Sequence, residues 1–141
     1  MGLLDRKNLL TKEELKVVKV ELGNGDFVYV RQMTGRERDC FEQSLVKEIK
    51  DNRGTIISYE RSLEDFRAKL AVVTICDDLG NTILNHTDYE TLSQSMSAAK
   101  LEKIINEAQK LNQITEEDKE NLVKNLGAAQ SGNSTLDSVN N

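Results

Sequence analysis

Two short β-patterned runs joined by a turn constrain this chain more than any other feature. Val18-Lys19-Val20-Glu21-Leu22 alternates apolar and polar residues, and Phe27-Val28-Tyr29-Val30-Arg31 is rich in β-branched and aromatic side chains. Between them, Gly23-Asn24-Gly25-Asp26 supplies positions that take positive φ at little cost. The pattern predicts a β-hairpin. A lone hairpin is marginal in water, so it needs something to pack on. With 141 residues the chain has the length of one ordinary domain. Its hydrophobic fraction is 38% and its aromatic fraction only 4%, so a modest core must be built mainly from Leu, Ile and Val.

Helical patterns supply the partner. Thr34-Gly35-Arg36-Glu37 has capping-box spacing, and Phe41, Leu45 and Ile49 form one stripe at i, i+4 and i+8. These predict a helix that runs to Asp51-Asn52-Arg53-Gly54. Ile56-Ile57-Ser58-Tyr59 fits no amphipathic stripe and reads equally as a short strand, a buried loop or an exposed contact patch. A second helix starts after Ser62-Leu63-Glu64-Asp65, and its stripe of Phe66, Leu70 and Val73 is widened by Ala71, Val72, Ile75 and Cys76. Asp77-Asp78-Leu79-Gly80-Asn81 then turns the chain, and Thr82-Ile83-Leu84 is extended. Thr87-Asp88-Tyr89-Glu90 opens a short helix with Leu92 inward, followed by a Ser-rich break over Ser93 to Ser97. Leu101, Ile104, Ile105, Ala108 and Leu111 mark a longer helix. Thr115-Glu116-Glu117-Asp118 caps a last one, which buries Leu122 and Val123 and ends near Gly127.

The expected fold is α+β and mostly α, with an N-terminal β-hairpin packed on a bundle of about four to five helices. Residues 1–16 read as a polar lead-in with one helical turn, and Thr11 and Glu14 have capping-box spacing. Residues 17–126 form the single globular domain. Residues 127–141, dominated by Ala, Gln, Ser, Gly and Asn, read as a flexible, disordered tail.

Composition narrows the function classes. The net charge of −5 lacks the electrostatic footprint of a general nucleic-acid binder. No apolar run approaches the ~18 residues of a membrane span. The start, Met1-Gly2-Leu3-Leu4-Asp5-Arg6, has neither an export h-region nor a myristoylation pattern, so the expected location is a cytoplasm. Cys40 and Cys76 read as two small buried hydrophobes, with a disulfide between them left open. One His and two Cys without C-x-x-C spacing do not make a zinc set. His86 reads as a solvated loop residue. Asp77-Asp78 does not fit a calcium loop, and Gly23-Asn24-Gly25-Asp26 lacks the Gly-Lys-Ser/Thr of a phosphate loop. No metal, cofactor or catalytic set is expected. Six of the seven arginines fall between Arg31 and Arg67, interleaved with Glu37, Asp39, Glu60 and Glu64. Surface salt bridges are the favoured reading, with an anion- or partner-binding face as the sharper alternative.

The order of these pieces resembles the tail assembly chaperones of long-tailed bacteriophages. The likeness lies first in the hairpin leading into Phe27-Val28-Tyr29-Val30-Arg31-Gln32-Met33-Thr34-Gly35-Arg36-Glu37-Arg38-Asp39, with Phe41-Glu42 after it. It continues in Arg67-Ala68-Lys69-Leu70 running to Asp77-Asp78-Leu79-Gly80-Asn81. It ends with Leu111-Asn112-Gln113-Ile114-Thr115-Glu116-Glu117-Asp118, then Lys124-Asn125. Ile83-Leu84-Asn85 departs from the pattern, which has an aromatic there. The resemblance implies a non-enzymatic protein of a phage or prophage, acting in the bacterial host cytoplasm and absent from the mature virion. Such proteins bind the tape measure protein and keep it soluble while tube subunits assemble around it. A longer, frameshifted form recruits the tail tube protein, and homo-oligomers are implied as well. The expected partner-binding residues are Ile56, Ile57 and Tyr59, with Arg36 and Arg38; no nucleic acid, membrane or cofactor is expected. The alternatives are a minor structural component of the tail and a small regulatory or antitoxin-like protein.

Overall fold

The computed structural model describes residues 2–122 and shows a mixed fold with more helix than strand. The expected flexible tail, and the last helix beyond residue 122, lie outside the described residues. The first hairpin pairs β1 (Val17–Gly23) with β2 (Asp26–Arg31). Asn24 and Gly25, at φ 56° and 82°, make its turn. Val18 opposes Val30 and Val20 opposes Val28, so four valines, with Leu22 beyond them, make one apolar face. Helix α5 (Ala98–Leu111) packs on that face and buries Leu101 and Ile104. On the other face Phe27 and Tyr29 meet edge to face at 5.6 Å, and the Lys19 ammonium lies 4.2 Å from the centre of the Phe27 ring.

Helix α2 (Gly35–Gln43) begins at the expected capping box: the Thr34 hydroxyl accepts the Glu37 N–H, and the Glu37 carboxylate accepts the Thr34 N–H. It ends eight residues sooner than the apolar stripe predicts, before Ser44 rather than at Asp51-Asn52-Arg53-Gly54. The Ser44 hydroxyl donates to the Phe41 carbonyl at 2.5 Å, and the chain then turns into β3 (Val46–Lys50). Phe41 and Leu45 are buried as predicted, but Ile49 belongs to a strand. β3 pairs with β4 (Ile56–Arg61) as a second, separate hairpin. Asp51 makes its turn by accepting the N–H groups of Arg53 and Thr55 at 2.8 and 3.0 Å. Of the three readings left open for Ile56 to Tyr59, the structure takes the strand.

Helix α3 (Phe66–Thr74) is the central helix, with Leu70 and Ala71 fully buried. Its end corrects a second expectation. The helix stops at Thr74, whose hydroxyl donates back to the Leu70 carbonyl at 2.7 Å. Ile75 and Cys76 form β5, which joins the first hairpin by pairing with Val30 and Tyr29. Cys76 then bridges to Thr82. The lead-in also differs from its predicted spacing. Helix α1 (Arg6–Leu10) is capped by Asp5 and Asn8 in a reciprocal box, while Thr11 ends it rather than pairing with Glu14. Asn85 and Asp88 make another box around a short 3₁₀ turn, and α4 (Tyr89–Ser95) follows. It runs through two of the serines expected to break it. Residues 116–122 are helical after a Thr115–Asp118 box.

Two buried clusters make the core. One joins Phe41, Leu45, Phe66, Leu70, Ile105, Ala108 and Ile114; the other joins Val20, Val30, Ala71, Ile75, Leu101 and Ile104. Helices α3 and α5 contribute to both, so the clusters are two sides of one helix pair.

Candidate functional site

The β3–β4 hairpin is the part of the molecule that the core does not explain. It is tied at its base, where the Ser62 N–H donates to the Leu45 carbonyl at 2.7 Å and Lys69 donates to the Ser44 carbonyl at 2.9 Å. An exposed ion pair, Lys47–Glu64 at 3.3 Å, adds a third link. Neither buried cluster draws a side chain from residues 46–61. The hairpin nevertheless carries large apolar side chains: Ile56 is 41% exposed, Ile57 61% and Tyr59 45%.

Register sets how these three sit. Tyr59 opposes Glu48 and Ile56 opposes Lys50, while Ser58 opposes Ile49, so Ile57 is the extra residue of a β-bulge. Paired residues share a face, and positions 46, 48 and 50 lie on one face of β3. Val46, Ile56 and Tyr59 therefore share a face, and the bulge inserts Ile57 between the last two. The expected contact residues Ile56, Ile57 and Tyr59 are thus gathered on one exposed strand.

The two expected arginines are elsewhere, on α2, and they differ. Arg38 is engaged within the fold: its Nε donates to Glu42 at 2.9 Å and its Nη1 to the Asn112 carbonyl at 3.0 Å. Arg36 is exposed and makes no ion pair among the described residues. It stands at a groove of about 750 Å³ whose floor includes Val72, Val73 and Leu84. Cys40 lies in the same groove and is exposed, contrary to the expectation of burial; the neighbouring Phe41 takes the side of α2 that faces the core, and Cys40 falls on the groove side. Cys76 is buried as expected, and both cysteines are free thiols. Burial pushes the Cys76 thiol above its ordinary value; Arg31 opposes that and Asp77 adds to it.

The interleaved charges pair partly as expected. Arg31 meets Glu37 at 2.6 Å and Arg67 meets Glu102 at 2.7 Å. Arg31 is 6% exposed, and its Nε has no partner among the described residues. The Asp77 carboxylate accepts the N–H groups of Leu79 and Asn81 and the Asn81 side-chain amide. Those donors hold its carboxyl below the ordinary range, so the carboxylate is committed to its own turn. Among the described residues no group of three His, Cys, Asp or Glu side chains could hold a metal.

Sequence reasoning passed over one exposed apolar set. Leu3, Leu4, Leu9 and Leu10 are 103%, 56%, 65% and 67% exposed on a segment that reads as a polar lead-in. The signal was present in two adjacent leucine pairs. No described helix is long and apolar enough to cross a membrane. No protein-family model, no curated protein and no solved structure matches the chain.

Proposed function

We propose that this chain is a tail assembly chaperone of a long-tailed phage or prophage. In this reading it works in the host cytoplasm as a non-enzymatic protein. It binds the tape measure protein, keeps it soluble while tube subunits assemble, and is left out of the virion. A longer frameshifted form brings in the tail tube protein. The observation that carries the reading is the β3–β4 hairpin, which gathers Ile56, Ile57 and Tyr59 on an exposed strand outside the core. A holdase needs apolar surface that its own fold leaves uncovered, together with enough net charge to stay dispersed. The sequence likeness through Phe27–Asp39, Arg67–Asn81 and Leu111–Asp118 supplies the identity of the client.

Co-expression with the tape measure protein encoded nearby tests this. The client is expected in the soluble fraction only when this chain is present, and the two co-elute. An Ile57→Ser, Tyr59→Ser double variant is expected to fold and lose that effect. If the client stays insoluble, or is soluble alone, the chaperone reading fails and a minor tail component takes its place. Purified particles would then contain the chain.

A further inference from the structure

An edge strand presents backbone N–H and C=O groups whose chemical complement is another extended backbone. The register of the two hairpins identifies those groups. In the first, the Gln32 N–H donates to the Lys16 carbonyl, so alternation turns the backbone of Lys19 and Glu21 away from β2. In the second, the Ser62 N–H donates to the Leu45 carbonyl, so β3 turns Glu48 outward and β4 turns Tyr59 and Arg61 outward. The far side of β5 is taken by the bridge from Cys76 to Thr82.

The edges of β1, β3 and β4 therefore stay open among the described residues, and they are not alike. Ion pairs run along two of them, Lys19–Glu21 at 3.6 Å on β1 and Glu48–Lys50 at 3.7 Å on β3. Charge along an edge discourages a further strand. Over the same stretch β4 carries Ile57 and Tyr59, which are large, apolar and exposed. The bulge at Ile57 bends the strand and keeps the receptive stretch short.

We infer that the open edge of β4 takes an extended segment of the client as an added strand. The inference rests on the chaperone reading for the nature of the partner and adds how the partner is held. The two faces of the hairpin set the segment's pattern. Client residues opposite Tyr59 share the face of Val46, Ile56 and Tyr59, so they are apolar; their neighbours fall on the face of Lys47, Ile49, Ser58 and Glu60, so they are mostly polar. The segment alternates with period two and not with the period of a helix. Charge sets its end. Arg53, in the turn, is exposed and makes no ion pair among the described residues, while the Asp51 carboxylate is occupied by the N–H groups of its own turn. A carboxylate at the end of the segment nearest the turn complements Arg53. A second copy of this chain does not. Antiparallel β4 strands would bring Arg53 of each copy toward the Arg61 end of the other, like charge to like.

The probe is a labelled synthetic peptide of alternating Val and Thr that ends in two Asp, added to the full chain. It is compared with the same peptide methylated at its interior amide nitrogens, which keeps the side chains and removes the donors. Methylation should weaken binding, read by fluorescence anisotropy, roughly tenfold or more. The Tyr59 amide should exchange more slowly when the unmethylated peptide is bound. Tyr59→Ser keeps the outward N–H and should weaken binding; Tyr59→Pro removes that N–H as well and should weaken it further. The N–H it removes takes no part in pairing with β3, so the hairpin ladder is kept. The inference is overturned if the methylated peptide binds equally well, or if the Tyr59 amide is unaffected by bound peptide. It is also overturned if Tyr59 protection grows with protein concentration in the absence of peptide, because a second copy would then hold the edge. Co-expression separates the two readings. A chain that solubilises the tape measure protein but fails these peptide tests keeps the chaperone reading and loses the added strand. A chain that passes them but solubilises no client keeps the added strand and loses the chaperone reading.

Discussion

Asn112 joins α5 to the segment between β2 and α2. Its Oδ1 accepts the Met33 N–H at 2.7 Å, and its Nδ2 donates to the Ala108 carbonyl at 2.9 Å. Its own carbonyl takes the Arg38 guanidinium. One residue thus closes the end of α5 and fixes where β2 leads into α2. Asn112→Ala would strand the partly buried Met33 N–H and should cost about 1–3 kcal/mol in chemical denaturation. Glu37 has a related role, with a pH signature. Burial pushes its carboxyl up, but hydrogen bonds from Arg31 and the Thr34 N–H, with the Arg31 charge, bring it below the ordinary 4.5. A carboxyl lowered by folding stabilises the protein above its unfolded value, and that contribution is lost as pH falls below about 4.5 through the folded value. Asp77 and Asp118 are lowered too, so they act in the same direction. Stability measured from pH 6 downward should therefore decline through the acid range, and Glu37→Gln should flatten part of that decline without abolishing it. The cysteines give a third residue-scale expectation. Cys40 is exposed, whereas Cys76 is 3% exposed with a raised thiol pKa. One thiol should react with a colorimetric disulfide reagent in the native state, and the second only on unfolding.

At the scale of elements, the Thr34–Glu37 and Thr115–Asp118 capping boxes and the first hairpin turn were legible because they are written in adjacent residues, whereas the spacings Thr11–Glu14 and Thr87–Glu90 formed no box. Thr34–Glu37 and the Gly23–Asp26 turn needed no tertiary information. The region 44–61 was not legible, for a physical reason. Phe41, Leu45 and Ile49 fit a helical stripe, but the competing pairing of Val46–Lys50 with Ile56–Arg61 depends on residues further along the chain, from Lys50 with Ile56 out to Val46 with Arg61. Asp51-Asn52-Arg53-Gly54 is equally good at ending a helix and at joining two strands; only the partner strand decides. The same holds at Thr74, where an apolar helical run gives way to β5 because Val30 and Tyr29 offer an open edge. Of the candidate site, Ile56, Ile57 and Tyr59 stood out in the sequence because they fit no stripe, and the structure leaves them exposed. The engagement of Arg38 with Asn112, across 74 positions, could not be read from either segment. The hairpin's detachment from the core makes its prediction specific. Ile57→Ser and Tyr59→Ser should each change global stability by no more than about 0.5 kcal/mol in thermal unfolding, so any loss of client solubility they cause belongs to the surface and not to misfolding.

For the molecule as a whole, the two buried clusters set how it comes apart. Helices α3 and α5 carry side chains into both, so neither cluster can open without disturbing the other. Leu70 and Ile104 are both 0% exposed, one in each cluster. Leu70→Ala and Ile104→Ala should each cost about 2–5 kcal/mol, and each should lower the transition seen by every probe, because the unit is shared. The β3–β4 hairpin stands outside this unit, since only Leu45 at its base enters a cluster. Its backbone hydrogen bonds can open while α3 and α5 stay packed. Native-state hydrogen exchange is the measurement that separates the two. Amides of residues 46–61 should exchange through openings well below the global unfolding free energy, while those of Leu70–Thr74 and Ile104–Ala108 should exchange only near it. Leu70→Ala should bring the core amides down and leave the hairpin amides where they were. Equal protection across both regions would mean that the hairpin is held by contacts beyond its base. On the chaperone reading proposed above, a strand that opens at low cost while the core holds would yield its apolar side chains to a client without unfolding the protein that carries it.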